Sequence, residues 1–238
     1  MLISCFTWQA EVWGQLLSRR RTLPHALLFR GKQGTGKAGF ARALAQALLC
    51  EAPRGLVACG ACASCVWFCQ GTHPDFRSVE PEAIAGEKLE AEEGGERKPG
   101  ERRARQQITV DQVRELADFV NVTSHRQGFK VVLVHPAESL NIHAANALLK
   151  TLEEPPPGTL FLLVSHRPRR VLPTILSRCE QVAMPLPTPE QAEHWLREHG
   201  VAQPAVPLAE AGFAPVAALE IAEPQRQAMR VGLLESLT

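Results

Sequence analysis

The chain has no tyrosine, and aromatic residues of all kinds make up only 5% of its 238 positions. It carries almost no net charge, because 26 lysines and arginines face 25 aspartates and glutamates. No run of eighteen apolar residues occurs, and the start shows no charged-then-apolar leader. Each shortage excludes something. With few aromatics, the core must come from the abundant leucine, valine and alanine, which suits alternating strands and helices. Near-neutral charge excludes a uniformly basic coat for nucleic acid. The missing apolar run excludes a membrane span, and the missing leader gives no indication of an oxidising compartment. A chain of this length can bury a real core in one large or two smaller domains. The expectation is a soluble, cytoplasmic, intracellular protein.

Cysteine, by contrast, is plentiful and clustered. Cys50, Cys59, Cys62 and Cys65 are spaced C-x8-C-x2-C-x2-C. Thiolates two residues apart can turn inward on one small knuckle, and Cys50 would complete a tetrahedron around zinc. The bland readings are a disulfide framework or buried cysteines without ligand roles. Residues 55–69 offer little apolar material, so a metal would have to supply the folding energy there. Cys69 could replace one ligand, whereas Cys5 and Cys179 read as small hydrophobes.

Apolar runs of strand length alternate with helical periodicity. The pattern predicts helices over 7–20, 37–49, 109–122, 141–153 and 173–177. It predicts strands over 26–29, 75–79, 130–134, 159–164 and 181–183. Thr109-Val110-Asp111-Gln112 is a capping box. Strands apolar throughout and separated by helices argue for a parallel sheet covered on both faces. The fold class expected is α/β, a phosphate-loop-type parallel sheet over 1–186 with a cysteine module inserted at 50–69. Residues 80–106 run acidic and then basic with almost nothing to bury, the composition of a flexible insertion. Pro185, Pro187 and Pro189 mark a linker, and Thr188-Pro189-Glu190-Gln191 caps the first helix of a small helical domain over 187–227.

Between the first strand and the second helix lies Gly31-Lys32-Gln33-Gly34-Thr35-Gly36-Lys37-Ala38. Gly31, Gly34, Gly36 and Lys37 are the residues that would cradle phosphate at a helix N-terminus. The next position should carry a hydroxyl for magnesium but is Ala38. The strand that should end in an acid ends in His135-Pro136, with no carboxylate before Glu138. The loop is a degenerate one, with nucleotide binding in doubt and the hydrolytic chemistry removed.

These residues carry a family resemblance. The chain resembles the delta-prime subunits of the bacterial DNA polymerase III clamp loader, members of the AAA+ superfamily. The carrying segments are His25-Ala26-Leu27-Leu28-Phe29, the four-cysteine module, Gly71-Thr72-His73-Pro74-Asp75-Phe76, the run from Asn146 to Pro156, and Ile175-Leu176-Ser177-Arg178-Cys179. Ala38, His135-Pro136 and Pro215 separate it from the ATP-hydrolysing motor subunits. The resemblance implies a zinc-bearing subunit without ATPase activity of its own. It implies assembly with motor and delta subunits into a hetero-pentamer, contact with sliding clamp and primer-template DNA through the complex, and no membrane partner. It assigns Arg178 as an arginine finger acting on a neighbouring subunit's ATP, a task that suits a planar, permanently charged guanidinium. Residues 228–238 would begin a third, collar domain that this chain lacks.

Competing readings attach to the same residues. A working nucleotide hydrolase or kinase with an unusual loop is opposed by Ala38 and the missing acid. A zinc-ribbon nucleic-acid binder is opposed by the neutral charge and the parallel-sheet pattern. Lys37 reads equally as a weak phosphate binder or a solvated helix-start lysine. Arg178 alone would read as a helix-end arginine paired with a carboxylate. His73 reads as a turn residue rather than a fifth metal ligand, Glu153 and Glu154 as the end of a helix before a proline-rich turn rather than paired catalytic carboxylates, and Arg167, Arg169 and Arg170 as a basic cluster that could touch a partner or DNA.

Overall fold

In a computed structural model, residues 6–84, 105–122 and 128–223 are described. The apolar runs become five strands, β1 (Ala26–Arg30), β2 (Phe76–Val79), β3 (Lys130–Val134), β4 (Thr159–Ser165) and β5 (Glu180–Ala183). They form one sheet in the order β2-β3-β4-β1-β5. Every pairing is parallel, with Leu27 opposite Leu162 and Val132 opposite Phe161. Parallel pairing requires crossovers, and helices supply them on both faces.

The two faces follow from the period of two along each strand. Leu27, Phe29, Leu133 and Leu162 point to a cluster shared with Trp13, Leu16, Phe40 and Leu44. Those four come from α1 (Ala10–Ser18) and α2 (Lys37–Leu49). Leu28, Val132, Phe161 and Leu163 point the other way, to Leu116, Leu148 and Ile175. This second layer is α4 (Val110–Asn121), α5 (Ile142–Glu153) and the short α6 (Pro173–Leu176). Burial on both faces explains why β3 and β4 have no polar-apolar alternation.

The helix starts lie where their caps put them. Thr109 and Gln112 exchange the two bonds of a capping box, with the Thr109 amide donating to Gln112 Oε1 at 2.9 Å. Asn141 Oδ1 accepts from the Ala144 amide at 2.8 Å to start α5. After the prolines, Thr188 and Gln191 cap α7 (Pro189–Glu198), with Pro189 in its first turn. Helices α8 (Ala205–Glu210) and α9 (Pro215–Ala222) complete a trio around Ala192, Leu196, Leu208 and Ala218. The cysteine module sits between α2 and β2 and contains α3 (Ala63–Cys69). Most of the charged stretch expected over 80–106, the segment 228–238 and Cys5 lie outside the described residues. No helix among the described residues is long and apolar enough to cross a membrane.

Candidate functional site

The glycine loop leaves the carboxyl end of β1 and runs into α2, the place where ligands meet a parallel sheet. Gly34 and Gly36 both have positive φ, +76° and +87°, so the loop takes a path that other residues adopt only under strain. It is closed on three sides by its own chain. The Phe6 ring lies against Gly36 where a β-carbon would stand. Trp8 stacks on Phe6 with ring centres 4.6 Å apart, and Trp195 of α7 packs edge-on against Phe6 at 5.3 Å. Trp8 Nε1 and Gln9 Nε2 both donate to the Thr35 carbonyl, at 3.4 and 3.1 Å. From the other side α9 comes down on the loop. The Val216 amide donates to the Gly34 carbonyl at 2.9 Å, and a β-carbon on Gly34 would lie 2.6 Å from that of Ala217. Lys32 Nζ reaches across to the Gly212 carbonyl.

Lys37 is neither solvated nor aimed into an open pocket. It is 1% exposed, and its ammonium donates to the Lys32 carbonyl inside the loop. Burial pulls its pKa down from 10.5 to about 8, an effect that the nearby Glu138 carboxylate partly offsets. At the end of β3, where a magnesium-holding acid would belong, His135 Nε2 faces His166 Nε2 at 3.2 Å. Burial, followed by the Lys37 charge, pushes His166 down to about 4, so this ring is neutral at pH 7. Glu138 lies close by, but its Oε1 accepts the backbone amides of His166 and Arg167 at 2.9 and 3.1 Å. Arg169 and Arg170 belong to the turn Pro168–Arg170 just beyond.

The four cysteine sulfurs converge. One ligand atom from each of Cys50, Cys59, Cys62 and Cys65 lies within 4.8 Å of the other three. The Cys50–Cys62 and Cys59–Cys65 Sγ pairs are each 4.0 Å apart. Tetrahedral zinc with Zn–S of about 2.3 Å spaces its sulfurs by about 3.8 Å, so the set fits a four-thiolate ion. Backbone amides of Cys59, Cys62 and Cys65 donate to the sulfurs of Cys50, Cys59 and Cys62 at 3.2 to 3.4 Å. The chain direction that makes these bonds also turns the thiols inward. Amide donors from Ala61 and Cys62 hold Cys59 down to about 6, whereas burial pushes Cys50 and Cys65 up. All six described cysteines are free thiols, which removes the disulfide alternative among them. Cys69 stands outside the cluster and accepts from Gln46 Nε2 at 3.4 Å.

His73 is buried rather than a surface turn residue. Its Nε2 pairs with Ser64 Oγ at 2.7 Å, and its Nδ1 accepts from the Asp75 amide at 3.0 Å. It thereby ties α3 to the strand that follows, a role that proximity to proline concealed.

Arg178 lies two residues before β5, at the amino edge of the sheet. Its Nη1 donates to the Thr174 carbonyl at 3.0 Å and to Ser177 Oγ at 3.4 Å. Nη2 donates to Glu153 Oε1 at 2.6 Å. Both side chains remain open to solvent, 33% for Arg178 and 50% for Glu153. Cys179 packs inward beneath the turn, and burial pushes its thiol up to about 12. The register pairs Leu27 with Glu180, so Arg178 sits level with the residue before β1. The phosphate loop begins after Arg30, roughly five residues or about 16 Å further along the sheet. The arginine and the phosphate loop occupy opposite edges.

Comparison with known proteins agrees with this architecture. The family described as DNA polymerase III, delta subunit, matches residues 9–188. A DNA polymerase III subunit delta' from Pseudomonas aeruginosa is 45% identical over 205 residues, covering 86% of this chain and 56% of that protein. The subunit delta' of Escherichia coli is 37% identical over 183 residues, 76% of this chain and 49% of its own length. The Escherichia coli subunit tau is 36% identical over 175 residues, 74% of this chain and 24% of that protein. The chain thus spans about half the length of the two delta' relatives. A solved DNA polymerase III gamma subunit-related protein from Thermotoga maritima superposes with a TM-score of 0.58 at 24% identity, covering 96% of this chain and 62% of that one, which speaks for the fold alone. The parallel sheet carries a degenerate phosphate loop, a thiol cluster and a following helical trio, and the chain belongs to the delta-prime family of DNA polymerase III clamp-loader subunits.

Proposed function

We propose that this chain works as a non-hydrolysing member of a cytoplasmic clamp loader, part of the DNA polymerase III holoenzyme. In this reading it joins motor and delta subunits in a hetero-pentamer that opens the sliding clamp and sets it on primed DNA. Residues 1–186 form its AAA+ domain, and the helical unit from 187 is a lid fixed against that domain. The observation that carries the reading is the contrast between the two edges of the sheet. At the carboxyl edge, Phe6 packs on Gly36, the Val216 amide donates to the Gly34 carbonyl, and Lys32 of the loop reaches out to the Gly212 carbonyl, so the chain's own residues cover the loop. Ala38 offers no magnesium ligand, and His135 offers no carboxylate. At the amino edge, Arg178 keeps solvent exposure and lies too far from the chain's own loop to serve it. An arginine so placed acts on a neighbour's nucleotide.

Zinc in the Cys50, Cys59, Cys62 and Cys65 cluster has a structural role in this reading. Four thiolates fill a tetrahedral ion and leave no position for water or substrate. When bound, the ion would offset half of the four thiolates' charge and supply folding energy to a segment poor in apolar residues.

The test is steady-state ATP hydrolysis by the full-length protein alone and in the reconstituted loader with clamp and primed DNA. The protein alone should show no turnover. Arg178→Ala should leave assembly and zinc content unchanged but lower the loader's rate. Fingers of this kind are worth roughly 10³–10⁵ at the site they serve, so the total loss depends on how many sites carry other fingers. Arg178→Lys should not restore the rate, because ammonium lacks the two-pronged geometry. Turnover by the protein alone that disappears with Lys37→Ala, or equal rates for wild-type and Arg178→Ala loaders, would overturn the reading.

A further inference from the structure

We infer that Glu153 is a positioning residue for Arg178, holding the guanidinium in the orientation it needs at the subunit edge. The inference rests on the reading of Arg178 as a finger acting in trans and adds a second residue to it.

Glu153 is the last residue of α5. A carboxylate there faces the negative end of the helix dipole, so helix stability does not explain it. Nor does ion-pair stability, because a pair with 33% and 50% exposed side chains contributes little to the fold. What the carboxylate does contribute is orientation. An arginine side chain on a surface turn has several torsions, each with about three wells. Here three acceptors converge on one guanidinium: the Thr174 carbonyl, Ser177 Oγ and Glu153 Oε1. Thr174 and Ser177 belong to the turn that carries Arg178, and both engage Nη1. Glu153 comes from a separate helix, 25 residues earlier, and engages Nη2. Two contacts on one nitrogen leave the plane free to swing; a third on the other nitrogen fixes it.

The donor count fits a finger held in readiness. Guanidinium has five N–H donors. Three are engaged by these acceptors. Among the described residues, the Nε–H and the second Nη2 hydrogen meet no other acceptor. An incoming phosphate can therefore be bound without breaking the anchoring set, and the arginine need not reorganise at the moment of reaction.

The experiment compares five reconstituted loaders of equal composition: wild type, Glu153→Ala, Glu153→Gln, Arg178→Ala and the double alanine variant. Steady-state ATPase with clamp and primed DNA gives kcat and KM for each. Glu153→Ala frees at least one torsion, so the Arg178-dependent part of kcat should fall about threefold, with KM for ATP unchanged. Glu153→Gln keeps an acceptor oxygen and should retain most of the rate. The double variant should match Arg178→Ala, because a positioning residue has nothing left to position. If Arg178→Ala equals wild type, the finger reading itself fails, and the assignment of Glu153 with it. If Arg178→Ala is slow but Glu153→Ala equals wild type, the Glu153 assignment alone is overturned. A rate above wild type for Glu153→Ala would overturn it too, since the carboxylate would then be restraining the arginine. Additive losses in the double variant, or Glu153→Gln as slow as Glu153→Ala, would equally reject positioning through this hydrogen bond.

Discussion

Replacing Lys37 by methionine removes a charge that the fold buries inside its own phosphate loop, and the structure sets both the sign and the size of the effect. In the folded protein burial brings the lysine from 10.5 to about 8. That gap corresponds to about 3 kcal/mol, at 1.36 kcal/mol for each pH unit. The charged lysine is therefore a net penalty to folding at neutral pH. Methionine has similar length without the charge, but it forfeits the bond from Nζ to the Lys32 carbonyl, worth about 1 kcal/mol. Lys37→Met should stabilise the protein by about 2 kcal/mol at pH 7. The pH dependence follows from the direction of the shift. The folded value lies below the unfolded one, so the penalty is fully present below about 8 and is lost as pH rises to 10.5. The advantage of the variant should accordingly shrink to nothing between those limits. Urea unfolding of wild type and Lys37→Met at pH 7 and pH 10, with zinc present, measures it. The difference between the two proteins isolates Lys37, because every other titrating group is common to both and cancels. Magnesium-ATP should leave the wild-type midpoint unmoved, since the loop is filled by Phe6 and α9. A variant less stable than wild type at pH 7, or an advantage that grows with pH, would refute the argument.

Elemental analysis of protein purified without added metal should give about one zinc per chain, and Cys62→Ser should abolish it and expose the remaining thiols to alkylation. A metal-free protein that stays folded with four equally reactive thiols would reject the site. Gly34→Ala should destabilise the protein by about 1–3 kcal/mol in denaturant unfolding, because the residue has φ +76° and its new β-carbon would meet that of Ala217 at 2.6 Å. An unchanged midpoint would mean that α9 does not rest on the loop.

The sheet was legible in the sequence because parallel strands buried on both faces become unbroken apolar runs, as in Lys130–Val134 and Thr159–Ser165. The helix starts were legible because Thr109, Asn141 and Thr188 satisfy amides only three residues away. The thiol cluster was legible for the same reason, its last three ligands being close neighbours in the chain. The closure of the phosphate loop was not. Phe6 meets Gly36 from thirty residues earlier, and Val216 meets Gly34 from far beyond, so no local pattern records either contact. That is why Lys37 read equally as a phosphate binder or a solvated lysine, when it is neither exposed nor open to solvent. His73 misled for a similar reason. A histidine before proline has the composition of a turn, and only the fold brings Ser64 to its ring. Glu153 did carry a signal, since an acid at the negative end of a helix needs a partner, but the sequence could not say that the partner was Arg178.

On the proposed reading, the two edges of the sheet also explain how a subunit could lose one half of nucleotide chemistry and keep the other. In a parallel sheet all carboxyl ends lie together, so the loop after β1 and the ends of β3 and β4 share one environment. Changes there reinforce one another. Once His135 replaces an acid and Ala38 a hydroxyl, nothing favours an open pocket. Apolar residues such as Phe6, Trp8 and Trp195 can then close over the loop and bury surface. The amino edge takes no part in this. Arg178 is held by Thr174, Ser177 and Glu153, none of which touches the loop, and it stands about five residues further back along the strands. Closing the first edge leaves the second unperturbed, because sites at opposite edges with no shared contacts respond to change independently. A finger that depended on its own chain's nucleotide would have been lost with it. On the proposed reading, a finger that faces outward has no such dependence, and that separation would let a closed subunit serve in a ring of open ones.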